Sequence, residues 1–319
     1  MKIIFTLTTF LICLKYYAAP MDSDIVAMLT SIHESDLYVV VKGSGYSVRE
    51  FEGEFANARN GEWHFTTIMS ISGNDPRLFV SLEPMLHPVH NSRDRNAVYR
   101  RVWFDGDQWI YDEERINPNT SGRHNISTVI TKEAPSFLGN VNEDGDFFGL
   151  TFVPWRYGVF MDYSLLRVFD SKNPFPFELG YQNDDSGGIV LKLMNDCNLS
   201  EIRVDSNTDQ LPKITTIKQY YNMCRGRETY PFRVLTFTDF IDDTGPLGLS
   251  IPRAFEFVFY NSDGTIRQKR FGQLESFRIV DKAYVDDVFA QMNETSGQVI
   301  IDRTSGLMIL PSGEVRELD

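Results

Sequence analysis

The sequence predicts a mainly β protein, with a few helices set against one large meandering antiparallel sheet or barrel. Three observations predict it. Only one long stretch near the start has clear helical spacing. Period-two alternation dominates most of the chain beyond that stretch. Residue–glycine pairs recur between the alternating runs, where a tight turn needs a positive φ.

Along the chain, 22–34 (DSDIVAMLTSIHE) is the first helix. Ile25, Met28, Leu29 and Ile32 fall at i, i+3, i+4 and i+7, with Asp22 or Ser23 placed to cap. LYVVVKGSGYSVREFEGEF then alternates, and Gly43 and Gly45 suggest a bulge or bend. Hairpin turns are expected at Asn60-Gly61, Asp105-Gly106, Asp263-Gly264, Ser305-Gly306 and Ser312-Gly313. At the second of these, Asp105 and Gly106 as the two central residues would set Phe104 opposite Asp107 and Val102 opposite Trp109. A polar loop (NVNEDGDFFG, 140–149) interrupts the strands. Beyond Pro154, Val159, Tyr163, Leu166 and Phe169 at helical spacing predict a second helix, ended by Pro174 and Pro176. Strands resume through IVLKLM, EIRVD and ITTIKQYY, and DKAYVDDVFAQM predicts a short third helix. With no internal repeat and no clean linker, residues 20–319 read as one continuous β-rich domain.

The chain has 319 residues, 42% hydrophobic and 13% aromatic, enough to bury a substantial core. Its formal charge is −13, and removing residues 1–19, with Lys2 and Lys15, gives −15. That field repels phosphate backbones and anionic bilayers, and no basic stripe offsets it, so nucleic acid is excluded as a partner. The N-terminus carries one lysine, an apolar run from Ile3 to Leu14, and Ala18-Ala19. This pattern predicts a signal peptide, 1–19, cut near Ala19, and an extracytoplasmic mature chain. The run falls short of the roughly 20 apolar residues that a spanning helix needs. In an oxidising compartment Cys197 and Cys224 either form a disulfide or remain two separate buried thiols.

Motifs that would carry chemistry are few. Asp105 and Asp107 are explained by the turn, since Trp109 stands where a calcium loop would place its next ligand. Asn142, Asp144 and Asp146 alternate, but Phe147 replaces the required glycine and Val153 the closing glutamate. His87 and His90 make two ligands of a metal site and do not close it. No phosphate-cradling loop or nucleophile elbow is present, so no cofactor or metal is expected. The doublets Asp184-Asp185, Asp242-Asp243 and Asp286-Asp287 are the one route to a hydrolase, as a glycosidase-like acid pair. Potential glycosylation sequons stand at Asn119, Asn125, Asn198 and Asn293.

Three segments together carry a resemblance: VWFDGDQWIYDEE, GPLGLSIPRAFEFVFYNSDGTI and ESFRIVDKAYVDDVFAQMNETSGQVIIDRTSG. In this pattern the chain resembles secreted or periplasmic proteins common in planctomycetes, similar in organisation to the LolA/LolB-like outer-membrane lipoprotein carriers. The resemblance covers most of residues 22–305. It implies an unclosed β-barrel, a strongly curved antiparallel sheet whose concave face helices cover. It further implies a non-enzymatic protein that takes a lipid, a lipoprotein acyl chain or another apolar ligand into that concavity. Phe255, Phe257 and Phe259 on one strand, and Phe65, Thr67, Met69 and Ile71 on another, are then candidate lumen residues; an ordinary sealed core would use the same pattern. The chain is well over half again as long as a minimal carrier. A secreted hydrolase around Asp242-Asp243, or an envelope-interaction protein without a small ligand, are the alternatives.

Overall fold

The structure, a computed structural model, describes residues 23–49, 59–84, 97–116, 124–133, 150–156, 158–160, 163–165, 178–183, 188–195, 198–205, 211–220, 230–242, 245, 248, 250–292 and 298–318. In chain order the elements begin with α1 (Ser23–His33), β1 (Tyr38–Arg49), β2 (Arg59–Ser70), β3 (Leu78–Pro84), β4 (Ala97–Phe104), β5 (Trp109–Ile116) and β6 (His124–Thr131). The middle holds β7 (Gly158–Phe160), β8 (Tyr163–Ser164), β9 (Glu178–Asn183), β10 (Gly188–Asn195), β11 (Asn198–Asp205), β12 (Lys213–Tyr220) and β13 (Arg233–Ile241). The last are β14 (Ile251–Tyr260), β15 (Ile266–Val280), α2 (Lys282–Met292), β16 (Val299–Asp302), β17 (Leu307–Ile309) and β18 (Val315–Glu317).

The protein is mainly β. Among the described residues sixteen strands form one sheet in the order β18-β17-β16-β6-β5-β4-β3-β2-β1-β15-β14-β13-β12-β11-β10-β9, and β7 pairs with β8 apart from it. The sheet is unclosed, with β18 and β9 at its two ends. The chain divides into two compact units, and the division falls within β15. One takes 34–156 and 270–319; the other takes 157–269 with the N-terminal residues through His33.

In the first of these units part of the sheet is buried on both faces. Antiparallel partners point to the same side, so register assigns the faces. Tyr38, Val40, Ile68, Phe79, Trp103 and Ile110 share one face and pack with Val285, Phe289 and Met292 of α2. Fully burying each of those three helix side chains contributes roughly 1.5–3 kcal/mol. Asp281 begins the helix by accepting the Tyr284 amide at 2.9 Å, an N-cap bond. A polar clamp holds the helix as well. Arg77, just ahead of β3, reaches Asp75 at 2.7 Å and Asp286 of α2 at 2.7 Å, and lies 5.4 Å over the Phe289 ring.

Val39, Val41, Phe65, Thr67, Met69, Val80, Val102, Tyr111 and Val129 make the opposite face, all buried. The segment 150–156 packs on it: Phe152 stacks on Phe65 at 6.1 Å, and Trp155 donates its indole N–H to the Ile71 carbonyl at 3.4 Å. Arg156 donates to the Ser70 carbonyl. Burial of its guanidinium pushes that group down to about 10, with Asp75 pulling the other way, so it remains a cation at neutral pH.

Most expected turns form where the glycines fall. Gly106, Gly264, Gly306 and Gly313 all have positive φ, between 72° and 111°. The expected helices at 22–34 and 282–292 form as well.

Three local expectations are corrected. Asn60-Gly61 is no turn: both residues lie inside β2, and the register slips there, Tyr46 facing Glu62 and Ser47 facing Asn60. Gly61 is the extra residue of a β-bulge, the other setting in which a strand favours glycine. Gly43 and Gly45 lie inside β1 with the register to β2 unbroken, and Gly43 marks a close approach. A Cβ there would sit 2.4 Å from the Gln273 carbonyl oxygen.

The Asp105-Gly106 turn exists with a longer loop than expected. Phe104 faces Trp109 and Val102 faces Tyr111, because Asp105 Oδ1 accepts the amides of both Asp107 and Gln108, at 2.9 and 3.0 Å. That bond pattern closes a four-residue loop. Finally, the described part of the second expected helix is a short hairpin, β7 with β8. Val159, Phe160 and Tyr163 are β-branched or aromatic, and their local preference for extended backbone prevails over a helical spacing shared by few residues.

Candidate functional site

In the unit that holds β9–β14, one sheet face is buried and the other faces water. On β10, Ile189, Leu191 and Leu193 are buried, whereas Lys192 is half-buried and Met194 exposed. β11 alternates in the same way. The outward face carries ion pairs, Lys192 with Glu201 at 3.7 Å and Lys269 with Glu256 at 3.5 Å.

Register sorts the buried face into cross-strand rows. One row runs Leu191, Ile202, Ile217, Leu235, Phe257, and every member is buried and apolar. The neighbouring row runs Leu193, Ser200, Gln219, Arg233, Phe259, also buried throughout, and is polar in the middle. Two residues along each strand separate the rows, about 7 Å. On the far side of the apolar row, Phe255 faces Phe237 and Ile189 faces Val204, again all buried. The face is therefore amphipathic along the strands.

At the polar row the side chains interlock. Arg233 donates its Nε–H to Gln219 Oε1 and lies 5.5 Å over the Phe257 ring. Arg267, at the start of β15, lies 5.8 Å over Phe259. The two phenylalanine rings are 4.4 Å apart, and Phe232 meets Phe259 edge-on at 6.5 Å. A guanidinium held over an aromatic face is stabilised by the ring quadrupole, which lessens the cost of keeping Arg233 buried.

The candidate lumen residues thus fall into two places. Phe255, Phe257 and Phe259 share the amphipathic face of this unit. Phe65 and Met69, with Thr67, lie on the sheet face of the other unit that Phe152 covers. Ser200, Gln219 and Arg233 carry no motif that singles them out in the sequence. A signal exists all the same, because each keeps the inward parity of its strand, two residues from Ile202, Ile217 and Leu235 respectively.

Other candidates have structural duties. Asp242 accepts from Ser250 Oγ at 2.6 Å and pairs with Lys213 at 3.2 Å, and these hydrogen bonds hold its carboxyl below the usual range. A general acid needs the opposite displacement. Asp286 is committed to Arg77 and Asp287 is exposed on α2. His64 pairs with Glu275 at 2.9 Å on an exposed surface. Among the described residues no three His, Cys, Asp or Glu side chains gather as a metal site. Cys197, Cys224, Asp184, Asp185, Asp243, Asn142, Asp144, Asp146, His87 and His90 lie outside the described residues.

No family model matches the chain, and no curated protein matches it. A solved structure is similar, a domain from Vibrio parahaemolyticus described as a putative outer membrane lipoprotein-sorting protein domain. The match covers 83% of this chain and 96% of that one, with 7% sequence identity and a TM-score of 0.44. At this identity and TM-score no role or ligand passes from that protein to this one.

Proposed function

We propose that the protein is an extracytoplasmic, non-enzymatic binder of a lipid, a lipoprotein acyl chain or another apolar ligand. The observation that supports this reading is the wholly apolar row Leu191, Ile202, Ile217, Leu235, Phe257, flanked by Phe237 and Phe255. Five strands at about 4.8 Å spacing give the row a length of about 19 Å, comparable to an extended acyl chain. Each methylene that leaves water for such a surface contributes about 0.8 kcal/mol, so a long tail binds firmly without polar recognition.

The extracytoplasmic setting rests on the leader-like residues 1–19, cut near Ala19, which lie outside the described residues. Among the described residues no helix is long and apolar enough to cross a membrane. The test is direct. Protein purified from its natural compartment, extracted with organic solvent, should yield about one lipid per chain by mass spectrometry. Lipid-free protein that also leaves an apolar fluorescent probe unbound would sink the reading.

A further inference from the structure

On one side the sheet ends in a three-stranded ribbon, β16, β17 and β18, and none of residues 298–318 is buried. Register sets Ile300, Ile309 and Val315 in one row across its strands. The first two are half-buried. Val315, on the outermost strand, is 56% exposed, more than any other large hydrophobic side chain among the described residues. A β-branched apolar residue suits a strand with neighbours on both sides, and among the described residues β18 has one. Backbone bonds show what the open side presents. Leu310 donates to the Glu314 carbonyl at 2.9 Å and Leu318 to the Gly306 carbonyl at 2.8 Å, so residues 314, 316 and 318 turn towards β17. Val315 and Glu317, between them, direct their N–H and C=O groups outward. The side chains flanking Val315 carry opposite charges: Glu314 and Arg316, both exposed and 2.9 Å apart. The ribbon as a whole is close to neutral, with Asp302, Glu314 and Glu317 against Arg303 and Arg316, in a chain of net charge −13.

We propose that β18 is the contact by which two copies of this chain join, antiparallel about a two-fold axis at Val315. The charge order negative, apolar, positive is its own complement when the strand is turned end for end. A two-fold strand pair must be centred on a residue for facing side chains to share a side of the sheet. Centred on Arg316 it would set two guanidiniums together, and centred on Glu314 or Glu317 two carboxylates. Centred on Val315 it sets Glu314 of each copy opposite Arg316 of the other. The two Val315 residues then exchange both backbone bonds, and the row Ile300, Ile309, Val315 runs on into the same row of the second copy. Each guanidinium has five N–H donors, so its bond to Glu314 within the strand stays in place. A pair this short belongs with the weak interfaces, below about 1,200 Å², and the dimer forms at high protein concentration.

The test is sedimentation velocity of the full chain over a concentration series, at physiological ionic strength so that the general repulsion between copies is screened. The mass should rise with concentration towards twice that of the monomer. Glu314→Arg and Arg316→Glu each turn both facing pairs into like charges, and each variant alone should dimerise about tenfold more weakly. Mixed in equal amounts, the two variants should form a heterodimer as strong as the parent dimer, because each charge then meets its opposite. Val315→Lys, which sets two ammonium groups on the axis, should stay monomeric. All three positions are exposed, so melting temperatures should stay near the parent's, and rescue by mixing cannot arise from misfolding. A parent that is monomeric at every concentration overturns the proposal. Dimers that persist unchanged in all three variants also overturn it, assigning the contact to another surface, and so does failure of the mixed variants to pair.

Discussion

Replacing Asp75 with Asn should make the protein less stable at neutral pH and nearly indifferent to the change in strong acid. Burial alone would raise the Asp75 carboxyl. Hydrogen bonds from the Arg77 side chain at 2.8 Å, from the Tyr38 hydroxyl, and from the Arg77 amide at 2.9 Å outweigh it and bring the group down to about 2. Its ordinary value is 3.8. The gap, at about 1.4 kcal/mol per pH unit, is worth about 2 kcal/mol. Because the folded value is the lower one, this contribution is present in full above pH 3.8. It drains away as pH falls towards 2. Urea unfolding of the parent and Asp75→Asn, monitored by tryptophan fluorescence, should show a difference of about 2 kcal/mol at pH 7 that shrinks across that window. Other carboxylates titrate in both proteins and cancel in the comparison. A difference that is the same at pH 7 and about pH 2.5 would refute the linkage, and no difference at any pH would refute the clamp on α2.

Gly43→Ala should destabilise by roughly 1–3 kcal/mol, because the new Cβ meets the backbone carbonyl of Gln273, which cannot turn aside as a side chain can; an unchanged melting temperature would contradict the close approach. Asp112→Ala should cost roughly 3 kcal/mol, since the buried carboxylate pairs with Arg101 and accepts from Thr128 Oγ1 at 2.9 Å. Asp112→Asn should cost less, and equal losses by urea titration would show that the charge is irrelevant. Asn195, Asn198, Tyr220 and Arg233 lie at one end of the β10–β13 meander, from which the stretches bearing Cys197 and Cys224 depart. We propose that these two cysteines pair, so alkylation without reductant should label neither, and labelling of both by mass spectrometry would end the idea.

How much of the fold is legible in the sequence depends on how local each signal is. The helices at 23–33 and 282–292 and the turns at Gly264, Gly306 and Gly313 follow from a few neighbouring residues, and the sequence declares them. The Asp105 loop is half-legible: turn chemistry identifies the place, but the bonds from two amides to one carboxylate oxygen determine its length. Asn60-Gly61 shows the limit of a dipeptide, which suits a bulge as well as a turn. The amphipathic face needs more than any single strand can show. Phe255, Phe257 and Phe259 declare their side by alternation alone. That Ser200, Gln219 and Arg233 stand shoulder to shoulder depends on two registers at once, one of them reached across the connection between β12 and β13.

The strand β16 lies parallel to β6, with Val299 to Asp302 facing Ser127 to Ile130, and Thr128 meets Gln298 across 170 residues of chain. That makes the edge of β6 a matter of timing. During synthesis β1 to β6 can pair in sequence as each hairpin emerges, but β6 must wait for everything up to residue 302 before it gains its second neighbour. Until then it presents an open row of amides and carbonyls, the kind of edge on which chains join each other instead of themselves. Pairing with β16 closes that edge, as pairing with β15 closes the edge of β1, and both are long-range steps of the slow kind.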